Sequence, residues 1–112
     1  MTNDAMLRVL FDQGVPVPLR KALSGFQFDT AFERGWSTLQ NGELIAAAQA
    51  EYDVFVSTDK NLRYQQDLRN RTVAILILPT TRWPVIQSHA ARIQAALERI
   101  EAGAYVELSF DT

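Results

Sequence analysis

The chain has 112 residues, 47% of them apolar and 21% charged, which excludes a disordered protein and predicts one globular domain over 1–112. The sequence contains no cysteine and one histidine, so a disulfide scaffold, a zinc–thiolate site and a cysteine nucleophile are excluded, and any bound metal should be an oxygen-binding ion such as Mg²⁺ or Mn²⁺. The net charge of −2 argues against a protein that coats nucleic acid without sequence preference, since such binding uses a basic surface.

Predicted strands and helices alternate along the chain. Short apolar or alternating runs, bounded by turn residues, predict five strands at 7–11, 26–32, 53–57, 73–78 and 105–110. Helix-start residues and the helical spacing of apolar residues predict four helices at about 16–24, 42–52, 61–68 and 84–102. Alternation of this kind indicates an α/β fold, a three-layer α/β/α sandwich with a mainly parallel sheet of about five strands.

Two of the predicted strands differ in burial. Every residue of 73–78 is apolar, which is typical of a central parallel strand that is covered on both faces. In 105–110, apolar and polar residues alternate, so this strand should have one solvent-exposed face and lie at the edge of the sheet.

Three acidic residues are expected at the edge of the sheet where ligands bind. Asp12 and Asp59 follow the first and third strands, and Glu43 lies in the first turn of the helix at 42–52. Ligands in open α/β sheets bind beyond the carboxyl ends of the strands, and the positive end of a helix favours an acid. Clustered carboxylates repel one another unless a proton or a cation relieves them, so the sequence predicts a metal site formed by Asp12, Glu43 and Asp59. Taken singly, each acid also suits a turn or a helix cap.

Polar residues close to these acids are candidates for substrate binding. Gln13 adjoins Asp12, and Asn41 precedes the Glu43 helix, which it is also placed to cap. Lys60, Asn61 and Arg63 follow Asp59. Within 60–82 there are five basic residues and one acid, so this segment is either a solvated surface or a local anion-binding strip.

Several motifs resemble a known family. The segment 10–16, with its Asp-x-x-x-Pro element, and the segments 35–36, 41–44 and 57–66 resemble the short bacterial PIN-like family, which is related to the VapC-type toxin ribonucleases. The resemblance covers about 7–110, and the segment around Asp59 is its most specific part. It implies a PIN-like fold and a Mg²⁺- or Mn²⁺-dependent ribonuclease in which Asp12, Glu43 and Asp59 match the metal-binding acids. Related proteins often act as toxins beside a small antitoxin protein.

The sequence departs from the family pattern at two positions and leaves alternatives open. Asn41 and Asn61 stand where many relatives have an acid, so the chain is either an active nuclease or a degenerate PIN-like module that binds RNA or a protein. A weaker alternative is a phosphatase-like enzyme with Asp12 as its nucleophile. We expect a cytoplasmic protein with no membrane partner, because the start of the chain does not resemble a signal peptide and no apolar run approaches the length of a membrane span. A homodimer through the last helix is a further expectation.

Overall fold

The computed structural model describes residues 6–62 and 72–110. Most of the predicted helix at 61–68, together with Arg63, lies outside the described residues. The strands are β1 Leu7–Phe11, β2 Phe26–Thr30, β3 Val54–Ser57, β4 Ala74–Ile77 and β5 Tyr105–Glu107. The described helices are a 3₁₀ helix Val17–Ala22, α1 Asn41–Glu51, α2 Trp83–Ser88 and α3 Ala90–Arg99.

The five strands form one sheet in the order β2-β1-β3-β4-β5, and every pairing is parallel. Helices flank the sheet, so the predicted α/β fold class is confirmed. β2 pairs with one edge of β1, and β3, which follows in the chain, pairs with the opposite edge of β1. A reversal of this kind is the topological switch point at which open parallel sheets bind ligands. It lies between the carboxyl ends of β1 and β3.

Alternating residues of the strands build one core on each face of the sheet. Val9, Val54 and Leu76 belong to the face covered by the 3₁₀ helix, α2 and α3, while Leu10 and Phe55 belong to the face covered by α1. The segment 73–78 is buried throughout, as its uninterrupted apolar sequence predicts. The sheet is therefore held rigid from both sides, and side chains at its carboxyl edge are placed by packed strands.

The second strand is shorter than predicted. β2 ends at Thr30, and residues 31–35 form a turn in which the Trp36 N–H donates to the Ala31 carbonyl oxygen at 2.8 Å. Gly35 allows this turn because its φ of 74° is in the left-handed region. Phe32, predicted as a strand residue, is instead 77% exposed.

The helical segments also differ from the prediction. The helix expected over 84–102 is broken at His89, whose backbone angles (φ −115°, ψ 19°) are not helical. The His89 ring stacks on Phe110 with centroids 4.2 Å apart, and its Nδ1 lies 2.9 Å from the Val85 carbonyl oxygen, so these contacts hold the residue out of the helix. The segment after Pro16 is a 3₁₀ helix. None of the helices in the described part of the chain is long and apolar enough to cross a membrane.

A polar and aromatic cluster fixes the loop between β2 and α1. The Arg34 guanidinium lies 4.2 Å from the centre of the Trp36 ring, binds both oxygens of Glu51 and donates to the Tyr52 hydroxyl at 2.6 Å. The Tyr52 hydroxyl in turn donates to Asp29 at 2.6 Å. Burial, followed by the hydrogen bond to Asp29, raises the pKa of Tyr52, so its hydroxyl stays protonated. The cluster anchors the chain that leads into α1.

Candidate functional site

At the carboxyl edge of the sheet, a buried serine links the Asp12 carboxylate to the backbone of Asp59. The Ser57 hydroxyl donates to Asp12 Oδ2 at 2.9 Å and accepts the Asp59 backbone N–H at 3.1 Å. Asp12 Oδ1 accepts the Gln13 backbone N–H at 2.8 Å, and the Asp12 backbone N–H donates to the Val56 carbonyl oxygen at 2.9 Å. We call Asp12, Ser57 and Asp59 the β1–β3 site. Its members come from segments 45 residues apart, as the predicted adjacency of strands one and three requires.

Ser57 is the member of this site that the sequence does not predict. Its side chain is fully buried, and a buried hydroxyl is stable only when its hydrogen bonds are satisfied. Both of its described partners belong to the predicted site acids, so the hydroxyl orients Asp12 against the start of the Asp59 loop. The signal available in the sequence is a single polar residue that ends the otherwise apolar strand Val54–Ser57.

Glu43 has a local structural role in this structure. Its Oε1 accepts the Gln40 backbone N–H at 3.0 Å, and Gln40 and Glu43 form a capping box at the start of α1. The prediction that Asn41 caps the helix is wrong, because Gln40 has the extended backbone of a cap residue and Asn41 is already helical. The Asn41 side chain lies outside the described part of the structure.

The donor chemistry of the β1–β3 site fits a divalent ion only in part. Mg²⁺ is usually held by one or two carboxylates together with water and substrate phosphate oxygens, and Asp12 and Asp59 each carry a carboxylate of this type. Each Asp12 oxygen accepts one described hydrogen bond and has a second lone pair. Over 6–62 and 72–110, however, no three acidic or histidine side chains are grouped so as to share one metal ion. Asp12, Glu43 and Asp59 are not such a group in this structure, and the three-acid metal site stays a prediction from the sequence.

Three more of the predicted site residues, Gln13, Lys60 and Asn61, lie around the same edge. The Gln13 side chain donates to the Ser37 carbonyl oxygen, and the Asn61 backbone N–H donates to Asp59 Oδ1 at 3.0 Å. Lys60 is exposed and lines a cavity of about 320 Å³ beside Pro79 and Glu107. Gln13, Lys60 and Asn61 are therefore close in sequence and structure to the β1–β3 site, while Arg63 is outside the described residues.

Gly14, in the loop that follows β1, lies directly against Thr58, in the loop that follows β3. A Cβ atom added at Gly14 would overlap the Thr58 Oγ1, whereas it would lie at an ordinary 3.6 Å from the Thr58 Cβ. The backbone of Gly14 is not in the left-handed region, so only this contact opposes a side chain. The absence of a side chain at Gly14 lets the two loops of the site pack against each other.

Gly14→Ala is expected to lower the free energy of unfolding by about 1 kcal/mol, because the Thr58 hydroxyl must move away from the added methyl group. In the Thr58→Ala background the obstructing oxygen is gone, so the same substitution should be neutral or stabilising by up to about 1 kcal/mol, since alanine restricts the unfolded chain. Urea unfolding of the four proteins measures this double-mutant cycle. An equal effect of Gly14→Ala in both backgrounds would show that Thr58 is not the obstacle.

Comparisons of the chain with protein-family models, with curated proteins and with solved structures find no match. The PIN-like resemblance therefore stays a prediction from the sequence, and the geometry of the β1–β3 site is the structural basis for a proposed function.

Proposed function

We propose that the chain is a Mg²⁺- or Mn²⁺-dependent ribonuclease that works at the β1–β3 site. The observation that carries the proposal is the buried Ser57 hydroxyl at the switch point of the sheet, which binds the Asp12 carboxylate and the Asp59 backbone N–H. Carboxylates at this position are suited to metal-assisted phosphodiester hydrolysis. The family resemblance supports the same class of reaction.

In this proposal Asp12 and Asp59 hold the ion, and Ser57 is a positioning residue. When bound, a divalent ion would lower the pKa of a water molecule and stabilise the negative charge on the phosphate oxygens. The Ser57 hydroxyl fixes one oxygen of Asp12, and the Gln13 N–H fixes the other. The exposed Lys60 ammonium follows Asp59 directly and positions the RNA backbone, a contact that gives affinity without sequence choice.

A second candidate function is a degenerate module that binds RNA or a protein without cleaving it. The capping role of Glu43 favours this candidate, because it leaves two acids at the site in the described residues. The PIN-like resemblance also brings a small antitoxin partner into the nuclease proposal, which keeps the homodimer through the last helix and the cytoplasmic location expected from the sequence.

Calorimetry with Mn²⁺, combined with a cleavage assay on single-stranded RNA, separates the two candidates. The nuclease predicts heat of Mn²⁺ binding that is reduced in Asp59→Asn, and RNA cleavage that stops when EDTA is added. The binding module predicts no Mn²⁺ heat and RNA that stays intact under both conditions. Cleavage that persists in EDTA would contradict a metal-dependent reaction.

A further inference from the structure

A groove opens on the side of Asp12 where β1 and β2 end. Its volume is about 330 Å³, within the range of roughly 300–1,000 Å³ that small-molecule sites occupy. It combines an apolar wall with polar groups, and its lining includes Asp12, Gln13, Val15, Val17, Phe32 and Glu33. Because Asp12 belongs both to this lining and to the β1–β3 site, a ligand in the groove would adjoin the proposed reaction centre.

Phe32 gives the groove an aromatic surface, and its side chain belongs to neither of the two hydrophobic cores. At 77% exposure it is the most exposed large apolar side chain in the described part of the chain, and the neighbouring Val17 is 44% exposed. The backbone hydrogen bonds of the 31–35 turn hold Phe32 at this position beyond the end of β2. Exposed aromatic rings on nucleic-acid-binding proteins serve as stacking platforms for single-stranded bases.

The acids of the groove are already partnered, which lowers its repulsion of a polyanion. Glu33 accepts from the Arg20 guanidinium at 2.9 Å and from the Thr30 N–H at 3.0 Å. The hydrogen bond from Arg20 is the largest cause of the lowered pKa of Glu33. Asp12 accepts hydrogen bonds on both oxygens. A ligand with a planar apolar face and polar edges matches this lining better than an anion alone.

We propose that the groove holds one unpaired base of an RNA strand, stacked on Phe32, while the adjoining phosphate lies at the β1–β3 site. The inference rests on the proposed function, because it assigns a base position to the same RNA. A base inside a duplex has both faces covered by its neighbours, so the groove selects single-stranded over double-stranded RNA.

The test measures the affinity of the full chain for a fluorescently labelled eight-nucleotide single-stranded RNA by anisotropy, with Ca²⁺ replacing Mn²⁺ and a gel confirming that the RNA is intact. Phe32→Ala should weaken binding roughly 10-fold or more, whereas Phe32→Tyr should retain it, since both aromatic rings stack. Met6→Ala is the matched control: Met6 is an exposed apolar residue, 48% accessible, which precedes β1 at the opposite end of the strand. Its affinity should equal that of the wild type.

The inference would be overturned if the wild type did not bind this RNA. It would also be overturned if Phe32→Ala bound the RNA as tightly as the wild type, or if Phe32→Tyr and Phe32→Ala lost affinity equally. Binding of a duplex of the same sequence should not depend on Phe32, and a dependence equal to that for single strands would also contradict base stacking. Failure of the proposed function is a separate result, namely Phe32-dependent binding by a chain that does not cut RNA with Mn²⁺.

Discussion

Asp12→Asn is expected to lower the rate of Mn²⁺-dependent RNA cleavage by roughly 100-fold or more, because stabilisation by a bound ion contributes several kcal/mol to the reaction. Asparagine keeps the shape of Asp12 but loses its charge and one acceptor oxygen. The strand should stay in place, since the backbone bond from Asp12 to Val56 does not involve the side chain. Initial rates on single-stranded RNA, with circular dichroism as a check of the fold, measure the effect.

Asp53→Asn provides the matched control for this prediction. The Asp53 carboxylate also accepts a backbone N–H, from Arg8 at 2.8 Å, but it lies at the opposite end of β3. The control should cut RNA at the wild-type rate, whereas Asp59→Asn should lose activity like Asp12→Asn. If Asp12→Asn and Asp59→Asn both cut as fast as the wild type, the β1–β3 site is not the reaction centre.

Phe55→Ala is expected to lower the free energy of unfolding by about 3–5 kcal/mol. Phe55 is fully buried in the middle of β3, where it packs in the core on the α1 face of the sheet. Removing the ring leaves a cavity between packed layers that strand pairing keeps from collapsing. Equilibrium urea unfolding gives the free energy, provided that the transition is two-state.

Phe32→Ala is the control for Phe55→Ala, because it is the same chemical change at a side chain that is 77% exposed. Its effect on stability should stay within about 0.5 kcal/mol. If Phe55→Ala proves too unstable to purify, Phe55→Leu should give an intermediate loss of about 1–1.5 kcal/mol. A loss at Phe55 as small as that at Phe32 would contradict the described packing of the α1 face.

The sequence predicts the sheet better than it predicts the ends of its elements. Burial on both faces makes 73–78 uniformly apolar, so the central strand is visible in the sequence. The break at His89 is not visible, because Ile86, Ile93 and Leu97 keep helical spacing on either side of it. Phe32 continues the alternation of β2 past its last residue, and only the turn hydrogen bonds place it outside the strand.

At the candidate site, the topology predicts where Asp12 and Asp59 lie, but it does not predict the hydrogen-bond partners of the site residues. Asp12 and Asp59 follow neighbouring parallel strands and so reach the same edge. The capping box of Gln40 and Glu43 depends on which residue begins α1, and this differs by one from the predicted boundary. Phe32 lies in no motif, and Ser57, although it begins the segment 57–66, carries no charge that marks it as a site residue. Their roles depend on exposure and burial, which are tertiary properties.

The all-parallel sheet has a consequence for the time at which the site forms during folding. No two neighbouring strands of this sheet are joined by a hairpin, so each pairing first requires a long connection to close. The bond from Ser57 to Asp12 spans 45 residues and forms only after β3 docks beside β1. Such non-local contacts slow folding. Recovery of cleavage during refolding should therefore lag behind helix formation and keep pace with completion of the β1–β3 pair.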